Sequence, residues 1–143
     1  MMRLAIASDH AGFDLKIQAH KWLLDAGHEI NDLGPASRER LDYPDKAHEL
    51  AGAILNQKAS RGILICGSGI GMAIAANRHV GIRAANCVNV FQSRYARLHN
   101  DINVLCLGER IVGPAMARDI ISTFLSTKFE GGRHQQRVHK IDP

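Results

Sequence analysis

Five short apolar segments alternate with stretches of helical periodicity, and this alternation constrains the fold more than any other feature of the sequence. The predicted strands are Leu4–Ala7, His28–Leu33, Gly62–Cys66, Ile82–Cys87 and Val104–Leu107. Because parallel strands are joined by crossover helices, this order predicts one α/β domain over residues 1–143, with a parallel sheet covered by helices on both faces. The second strand is the most polar, so we expect it near an edge of the sheet.

The segments between the strands have apolar residues at helical spacing. Helices are predicted over residues 13–26, from Pro44 to Leu55, over Met72–Ala76, over Phe91–Leu98 and from Pro114 to the break at Glu130. The remaining tail, Arg133–Pro143, has little apolar content. We therefore expect the tail to be ordered only if it docks on another surface.

The most informative local feature is a cysteine at the end of the third strand. Cys66 is followed by Gly67, Ser68, Gly69, Ile70 and Gly71 and then by a predicted helix. Unpaired amides and the helix dipole at such a turn attract anions, and the same environment favours a thiolate over a thiol. The alternative is that Cys66 is a small buried hydrophobic residue and that the glycines form only a tight turn.

Three familiar phosphate-binding or thiol motifs fail at this loop. A dinucleotide fingerprint requires its third glycine at position 72, which is Met72. A P-loop requires Gly-Lys-Ser/Thr after four spacer residues, which is absent, and a cysteine phosphatase loop would require arginine at position 72. The sequence therefore indicates an anion cradle with a thiol that serves some other chemistry.

Further reactive side chains follow the other predicted elements: Asp9 and His10 after the first strand, His99 and Asn100 after the fourth helix, and Glu109 and Arg110 after the fifth strand. Together with Cys66 and Ser68 they predict proton transfer on a small anionic molecule at one edge of the sheet. Each also has a structural interpretation: Asp9 as a helix cap, His10 as a surface imidazole and His99 as a helix C-terminal residue. Arg133 and Arg137 could clamp a phosphate or form a solvated basic tail.

Composition narrows the function classes. The formal net charge is +4, partly from the tail, but the seven aromatic residues do not interleave with the basic ones, so a nucleic-acid stacking platform is not indicated. No apolar run approaches the length of a membrane span, and the first residues lack the layout of a signal peptide. Three dispersed cysteines, Cys66, Cys87 and Cys106, favour free thiols in a cytoplasmic location.

The chain resembles the ribose-5-phosphate isomerase B family, which also includes galactose 6-phosphate and allose 6-phosphate isomerases. The resemblance rests on these segments, in this order: Ser8–Gly12, Asp42–Pro44, Gly62–Gly71, Gly81–Ala84, His99–Asp101, Asn103–Leu105, Gly131–His134 and Arg137–Val138. It implies a Rossmann-like three-layer αβα sandwich and a homodimer, sometimes a dimer of dimers. The site is then at the subunit interface, where the tail, residues 130–143, docks on the partner.

The resemblance also implies an activity without metal or cofactor, the interconversion of an aldose phosphate and a ketose phosphate through a cis-enediolate. By this resemblance Cys66 is the base. The enediolate is stabilised by Ser68 and by the backbone amides of the loop, including those of Gly67, Gly69 and Gly71. His99 opens the sugar ring with help from Asp9. Tyr43 and Asn100 would position the sugar, and the phosphate would be held by His10, Arg110, Arg133 and Arg137. His134 matches the motif and is expected at the substrate. Some members use a glutamate after the glycine loop as base, but Met72 and Ala73 stand there in this chain.

Four interpretations remain open at this point. Ribose 5-phosphate is the default substrate, and a tetrose 4-phosphate or a hexose 6-phosphate would undergo the same chemistry. The pattern between Asn86 and Leu98, where Cys87, Phe91 and Tyr95 occur, departs from the family and leaves the sugar undecided. A non-catalytic module that binds a phosphorylated metabolite is the third interpretation, and a nucleic-acid binder using the basic tail is the fourth.

Overall fold

The computed structural model describes all 143 residues, and its centre is a sheet of five parallel strands. The strands are β1 (Arg3–Ser8), β2 (Glu29–Asp32), β3 (Arg61–Cys66), β4 (Ala84–Asn86) and β5 (Val104–Gly108). Their order across the sheet is β2-β1-β3-β5-β4. The predicted parallel sheet is confirmed, and so is the edge position of the second strand.

Six α-helices connect or follow the strands: α1 (Phe13–Asp25), α2 (Tyr43–Leu55), α3 (Ile70–Ala76), α4 (Val90–Asn100), α5 (Pro114–Ser126) and α6 (Arg133–His139). A short 3-10 turn, His10–Gly12, precedes α1. The longest helices have 13 residues, and none has the length and apolar character of a membrane span.

Successive strand residues point to opposite faces of the sheet, and this alternation builds two separate cores. On one face, Ile63 and Ile65 of β3 join a cluster with residues of α1 and α5. On the other face, Leu64 and Cys66 join a cluster with residues of α2 and α3. The arrangement is a three-layer αβα sandwich, as expected, and it directs the Cys66 side chain toward α2 and α3.

Several element boundaries differ from the sequence prediction, among them the end of α5 at Ser126, and two of the differences have a visible cause. β4 is shorter than the predicted strand Ile82–Cys87, since the amide of Arg83 donates to the side chain of Asn103 (2.8 Å) before the ladder begins. Helix α4 is longer than predicted and ends at Asn100. An ion pair of 2.8 Å between Arg97 and Asp101 supports this last turn, and Asp101 ends it in the left-handed conformation.

The tail is ordered against its own subunit. Its helix α6 buries His134 and Val138, and the Asp142 carboxylate accepts a hydrogen bond of 2.9 Å from the amide of Gly81. Arg133 and Arg137, one turn apart on α6, remain exposed to solvent. The expectation that the tail docks on a surface is thus met within one chain, and its docking on a partner stays a prediction.

Candidate active site

A cleft of about 540 Å³ lies at the carboxyl ends of β1, β3 and β5. Its walls include eight of the residues predicted to act on a substrate: Asp9, His10, Tyr43, Cys66, Gly67, Ser68, Gly71 and Arg110. The apolar residues Ile70, Ile74 and Ile111 form much of the remaining lining. The volume suits a small metabolite, and the carboxyl ends of parallel strands are where open α/β sheets bind ligands.

Cys66 stands at the base of this cleft with only 4% of its surface exposed. The amide of Gly69 donates a hydrogen bond of 3.1 Å to its sulfur. The amides of Gly67, Ser68 and Gly71 donate to no atom of the chain. A hydrogen-bond donor at the sulfur stabilises a thiolate, and unpaired amides nearby can receive a negatively charged oxygen.

The glycine loop depends on one residue that the sequence analysis missed. Gly69 has a φ of +81°, and a Cβ there would lie 2.4 Å from the Asn86 Oδ1. The Asn86 Nδ2 donates to the Ser68 carbonyl at 3.2 Å, so this side chain supports the loop from beneath. The available signal was a polar residue, Asn86, near the carboxyl end of the predicted strand Ile82–Cys87.

Asp9, His10 and Arg110 form the wall of the cleft beside the loop. The Asp9 carboxylate accepts hydrogen bonds from the amides of Ala11 (2.9 Å) and Gly12 (3.1 Å), which confirms its capping role and fixes its position. The His10 Nδ1 accepts a hydrogen bond of 3.3 Å from the amide of Leu41, which leaves a proton on Nε2 of the neutral ring. A Cβ at position 67 would lie 3.3 Å from a guanidinium nitrogen of Arg110, so this cation lies directly over the loop.

Glu109 does not share the role of its neighbour Arg110. Its carboxylate accepts a hydrogen bond of 2.5 Å from the amide of Leu15 in the first turn of α1. A carboxylate at a helix N-terminus satisfies an otherwise unpaired amide and interacts favourably with the helix dipole. Glu109 is therefore a structural cap, and the expectation that it contributes to the reactive edge is wrong.

Tyr43, the first residue of α2, packs directly on the first turn of α3. A Cβ at position 71 would lie 2.5 Å from two ring carbons of Tyr43, so only glycine permits this approach. The Tyr43 side chain is 41% exposed and lines the cleft. The absence of a side chain at Gly71 thus leaves the space that the Tyr43 ring occupies beside the cleft.

His99 and Asn100 lie in the last turn of α4, which leads back to the start of β5. A crossover helix runs antiparallel to its strands, so its end returns to the amino edge of the sheet. The prediction that His99 and Asn100 share one sheet edge with Cys66 is therefore wrong within a single subunit. Arg133, His134 and Arg137 accompany them, because α6 packs against α4.

The side chain of His99 is surrounded by those of Tyr95, Glu130 and His134. The rings of His99 and His134 are stacked, with centroids 4.1 Å apart and planes inclined by 12°. Tyr95 meets His99 edge-on at 5.0 Å. The Glu130 carboxylate lies 3.8 Å from the His99 Nε2 and 3.7 Å from the His134 Nε2.

His99, Glu130 and His134 are also the group of potential metal ligands in the chain, with ligand atoms within 4.8 Å of one another. An imidazole nitrogen binds a metal ion in the plane of its ring. Because the two rings are nearly parallel and stacked, no nearby point lies in both planes. The arrangement is that of a stacked aromatic pair and does not suit a tetrahedral metal centre.

Comparison with known proteins agrees with this geometry. Residues 4–141 match the family model described as Ribose/Galactose Isomerase. Ribose-5-phosphate isomerase B of Escherichia coli is 45% identical over 99% of this chain and 95% of its own length. D-erythrulose-4-phosphate isomerase of Pectobacterium atrosepticum is 42% identical over 99% and 93%.

A solved structure gives the same result in three dimensions. The ribose 5-phosphate isomerase of Thermotoga maritima superimposes with a TM-score of 0.97 at 50% identity, covering 99% of this chain and 97% of the other. The likeness therefore extends over the sequence and the whole fold. This chain belongs to the ribose/galactose isomerase family.

Proposed function

We propose that this protein interconverts ribose 5-phosphate and ribulose 5-phosphate, with Cys66 as the base that moves a proton between C2 and C1. The observation that carries the proposal is the position of the Cys66 sulfur. It lies in a cleft, accepts a hydrogen bond from the Gly69 amide and stands beside three unpaired loop amides. The names of the E. coli and T. maritima relatives support this substrate.

The chemistry has two parts, of which the first is ring opening. A proton leaves the C1 hydroxyl of the furanose, the bond between C1 and the ring oxygen breaks with its electrons going to that oxygen, and the ring oxygen takes up a proton. An imidazole is suited to both transfers near neutral pH, and His99 is the imidazole that we assign to them. Asp9, held by two backbone amides, assists at the ring oxygens.

The second part is isomerisation of the open aldehyde. The Cys66 thiolate removes the C2 proton, the electrons of that bond form the C1–C2 double bond, and negative charge develops on O1. After a proton passes from the O2 hydroxyl to O1, protonation of C1 gives the ketose. Ser68 and the free amides of Gly67 and Gly71 stabilise the developing charge, as in an oxyanion hole, so the step needs neither metal nor cofactor.

The remaining groups hold the substrate. His10 and Arg110 lie on one wall of the cleft and bind the phosphate together with Arg133 and Arg137. Tyr43 and Asn100 contact the sugar hydroxyls. The phosphate is remote from C1 and C2, so its binding energy can hold the open chain in the reactive geometry.

The site requires a second subunit in this proposal. His99, Asn100, Arg133 and Arg137 cannot reach the cleft of their own chain from the opposite sheet edge. Apolar side chains are exposed around the cleft (Ile70, Ile74 and Ile111, each more than half exposed) and on α4, where Phe91 is 65% exposed. Burying these two surfaces against each other favours a homodimer, or a dimer of such dimers, in which the tail, residues 130–143, docks on the partner.

The three cysteines are free and buried, which supports a reducing, cytoplasmic setting. In this proposal the exposed Arg133 and Arg137 bind the substrate phosphate, so a nucleic-acid partner is not needed to explain these basic residues of the tail.

A substrate panel tests the proposal. Turnover is measured for ribose 5-phosphate, erythrose 4-phosphate, allose 6-phosphate and galactose 6-phosphate in the presence of a chelator. We expect the highest kcat/KM with ribose 5-phosphate. A higher value with a tetrose, the substrate class in the name of the P. atrosepticum relative, keeps the mechanism and changes the substrate. Binding without turnover of any of the four favours the non-catalytic module.

Replacing Arg137 by alanine should raise KM for ribose 5-phosphate about tenfold to a hundredfold and change kcat much less, because phosphate contacts persist from ground state to transition state. Lys140→Ala is the matched control, since it removes one exposed charge from the same tail. Steady-state kinetics of both variants measure KM and kcat for ribose 5-phosphate. An unchanged KM in Arg137→Ala would show that Arg137 does not bind the phosphate.

Replacing Gly71 by alanine should displace the Tyr43 ring, since the new Cβ would lie 2.5 Å from it. We expect kcat/KM to fall about tenfold, the effect of misplacing a group that positions the substrate. Gly52→Ala in α2 is the control, because a Cβ there meets nothing within 4 Å. If Tyr43→Phe and Gly71→Ala both retain full activity, Tyr43 does not position the sugar.

A further inference from the structure

The stacked pair His99–His134 contains one ring that is nearly free of solvent. His134 is 4% exposed, whereas the His99 side chain is 36% exposed. The His134 Nε2 is buried and has no hydrogen-bond partner. A buried polar atom without a partner costs stability, so its retention here calls for a compensating contact or role.

The stack holds His99 from two sides. His134 lies against one face of the imidazole at 4.1 Å, and Tyr95, one turn earlier on α4, meets it edge-on at 5.0 Å. Phe91 continues the row, with its ring 4.5 Å from that of Tyr95. An imidazole on a helix terminus would otherwise rotate among several orientations, and aromatic neighbours on two sides restrict that freedom.

Burial and most of the neighbouring charges disfavour a proton on His134. Burial is the largest cause that lowers the pKa of His134, and the adjacent His99 lowers it as well. The carboxylate of Glu130 raises this pKa, whereas the nearby cations Arg133 and Arg137 lower it. The neutral form of His134 is therefore favoured, so its ring can stack on His99 without a charge of its own. Tyr95 faces the same ring from α4, and Glu130 faces both Nε2 atoms.

We propose that His134 is a positioning residue for His99: its buried ring, stacked on His99 in the same subunit, fixes the imidazole in the orientation needed to open the substrate ring in the partner's cleft. This rests on the proposed function. His134 itself, whose buried Nε2 lies 3.7 Å from the Glu130 carboxylate, does not contact the sugar in this assignment. The assignment replaces the earlier expectation that His134 binds substrate.

The test separates ring opening from proton abstraction. Ribulose 5-phosphate has its C5 oxygen esterified, so it cannot form a five-membered ring and offers no ring to open. Exchange of its C1 hydrogen with deuterium from solvent, followed by NMR, therefore requires Cys66 but not His99. Net conversion of ribose 5-phosphate, which is mostly cyclic, requires both.

His134→Asn removes the stacking ring, and His134→Phe retains an aromatic ring without nitrogens. We expect His134→Asn to lower ribose 5-phosphate turnover about tenfold to a hundredfold, the cost of a misplaced catalytic group, and to leave C1 exchange within about threefold of wild type. His134→Phe should recover most of the lost turnover. His139→Asn, at an exposed position on the same helix, is the control.

Equal losses in both assays, or a loss in His134→Phe as large as in His134→Asn, overturn the proposal, because they indicate damage to the dimer or a role for the imidazole nitrogens. No loss in His134→Asn overturns it as well. Tyr95→Leu provides a second variant if His134→Asn fails to fold, and it should give the same selective loss. Failure of the proposed function would be evident separately, as wild type would then neither convert ribose 5-phosphate nor exchange the C1 hydrogen of ribulose 5-phosphate.

Discussion

Cys66→Ala should fold as wild type does and lose turnover of ribose 5-phosphate by a factor of a hundred or more, on the order expected for removal of a positioned base. The Cys66 side chain is small and lies at the end of β3, so its loss leaves little unfilled volume. The loop amides remain and should still bind the phosphorylated sugar. We therefore expect kcat to fall while KM changes little, as measured by steady-state kinetics.

Cys87→Ala is the matched control for this variant. Cys87 is 1% exposed, and burial raises the pKa of its thiol to about 11, so it is protonated at neutral pH and unsuited to act as a base. The control should retain nearly full kcat. Near-normal turnover in Cys66→Ala, or equal losses in both variants, contradicts the role of Cys66.

His99→Asn should lose most turnover of ribose 5-phosphate, by about a hundredfold, and retain hydrogen exchange at C1 of ribulose 5-phosphate. The reason is that His99 acts on the ring oxygens, whereas exchange at C1 involves only the enediolate and Cys66. NMR in deuterated buffer measures both quantities in one sample. Loss of exchange together with turnover would assign His99 to the isomerisation step or to assembly.

Subunit complementation tests the sharing of the site. In a hybrid dimer of one Cys66→Ala subunit and one His99→Asn subunit, one of the two sites contains both an intact Cys66 and an intact His99 from its neighbour. A random mixture of two inactive variants should therefore recover about a quarter of the wild-type activity, since half of the dimers are hybrids with one active site. Co-expression with two affinity tags isolates the hybrids. Absence of recovery means that both residues act within one subunit.

Much of the fold was predictable because it rests on local patterns. The apolar runs that became β3 and β5 are buried on both faces of the sheet, so they stand out from any flanking segment. Element ends were less predictable, because they depend on contacts between distant residues. The hydrogen bond from Arg83 to Asn103 shortens β4, and the ion pair from Arg97 to Asp101 lengthens α4.

The site also has a part that the sequence predicts and a part that depends on three-dimensional packing. Cys66, Gly67, Ser68 and Gly71 are adjacent in sequence, so their grouping in the cleft could be predicted from a strand followed by a glycine loop. The position of His99 could not, since the direction of α4 carries it to the other edge of the sheet. The support from Asn86 and the stack of His134 on His99 arise only from three-dimensional packing.

The most direct test of the account is conversion of ribose 5-phosphate in deuterated water with a chelator, followed by NMR for wild type and for Cys66→Ala. We predict that wild type forms ribulose 5-phosphate carrying solvent deuterium at C1, and that Cys66→Ala forms at least a hundredfold less, as expected for loss of a base. Because a single base can return the hydrogen that it removed, the decisive sample is taken after prolonged equilibration, and a complete absence of deuterium then would indicate direct hydride transfer between C2 and C1. That result, or turnover abolished by the chelator, would contradict a metal-free enediolate mechanism with Cys66 as its base.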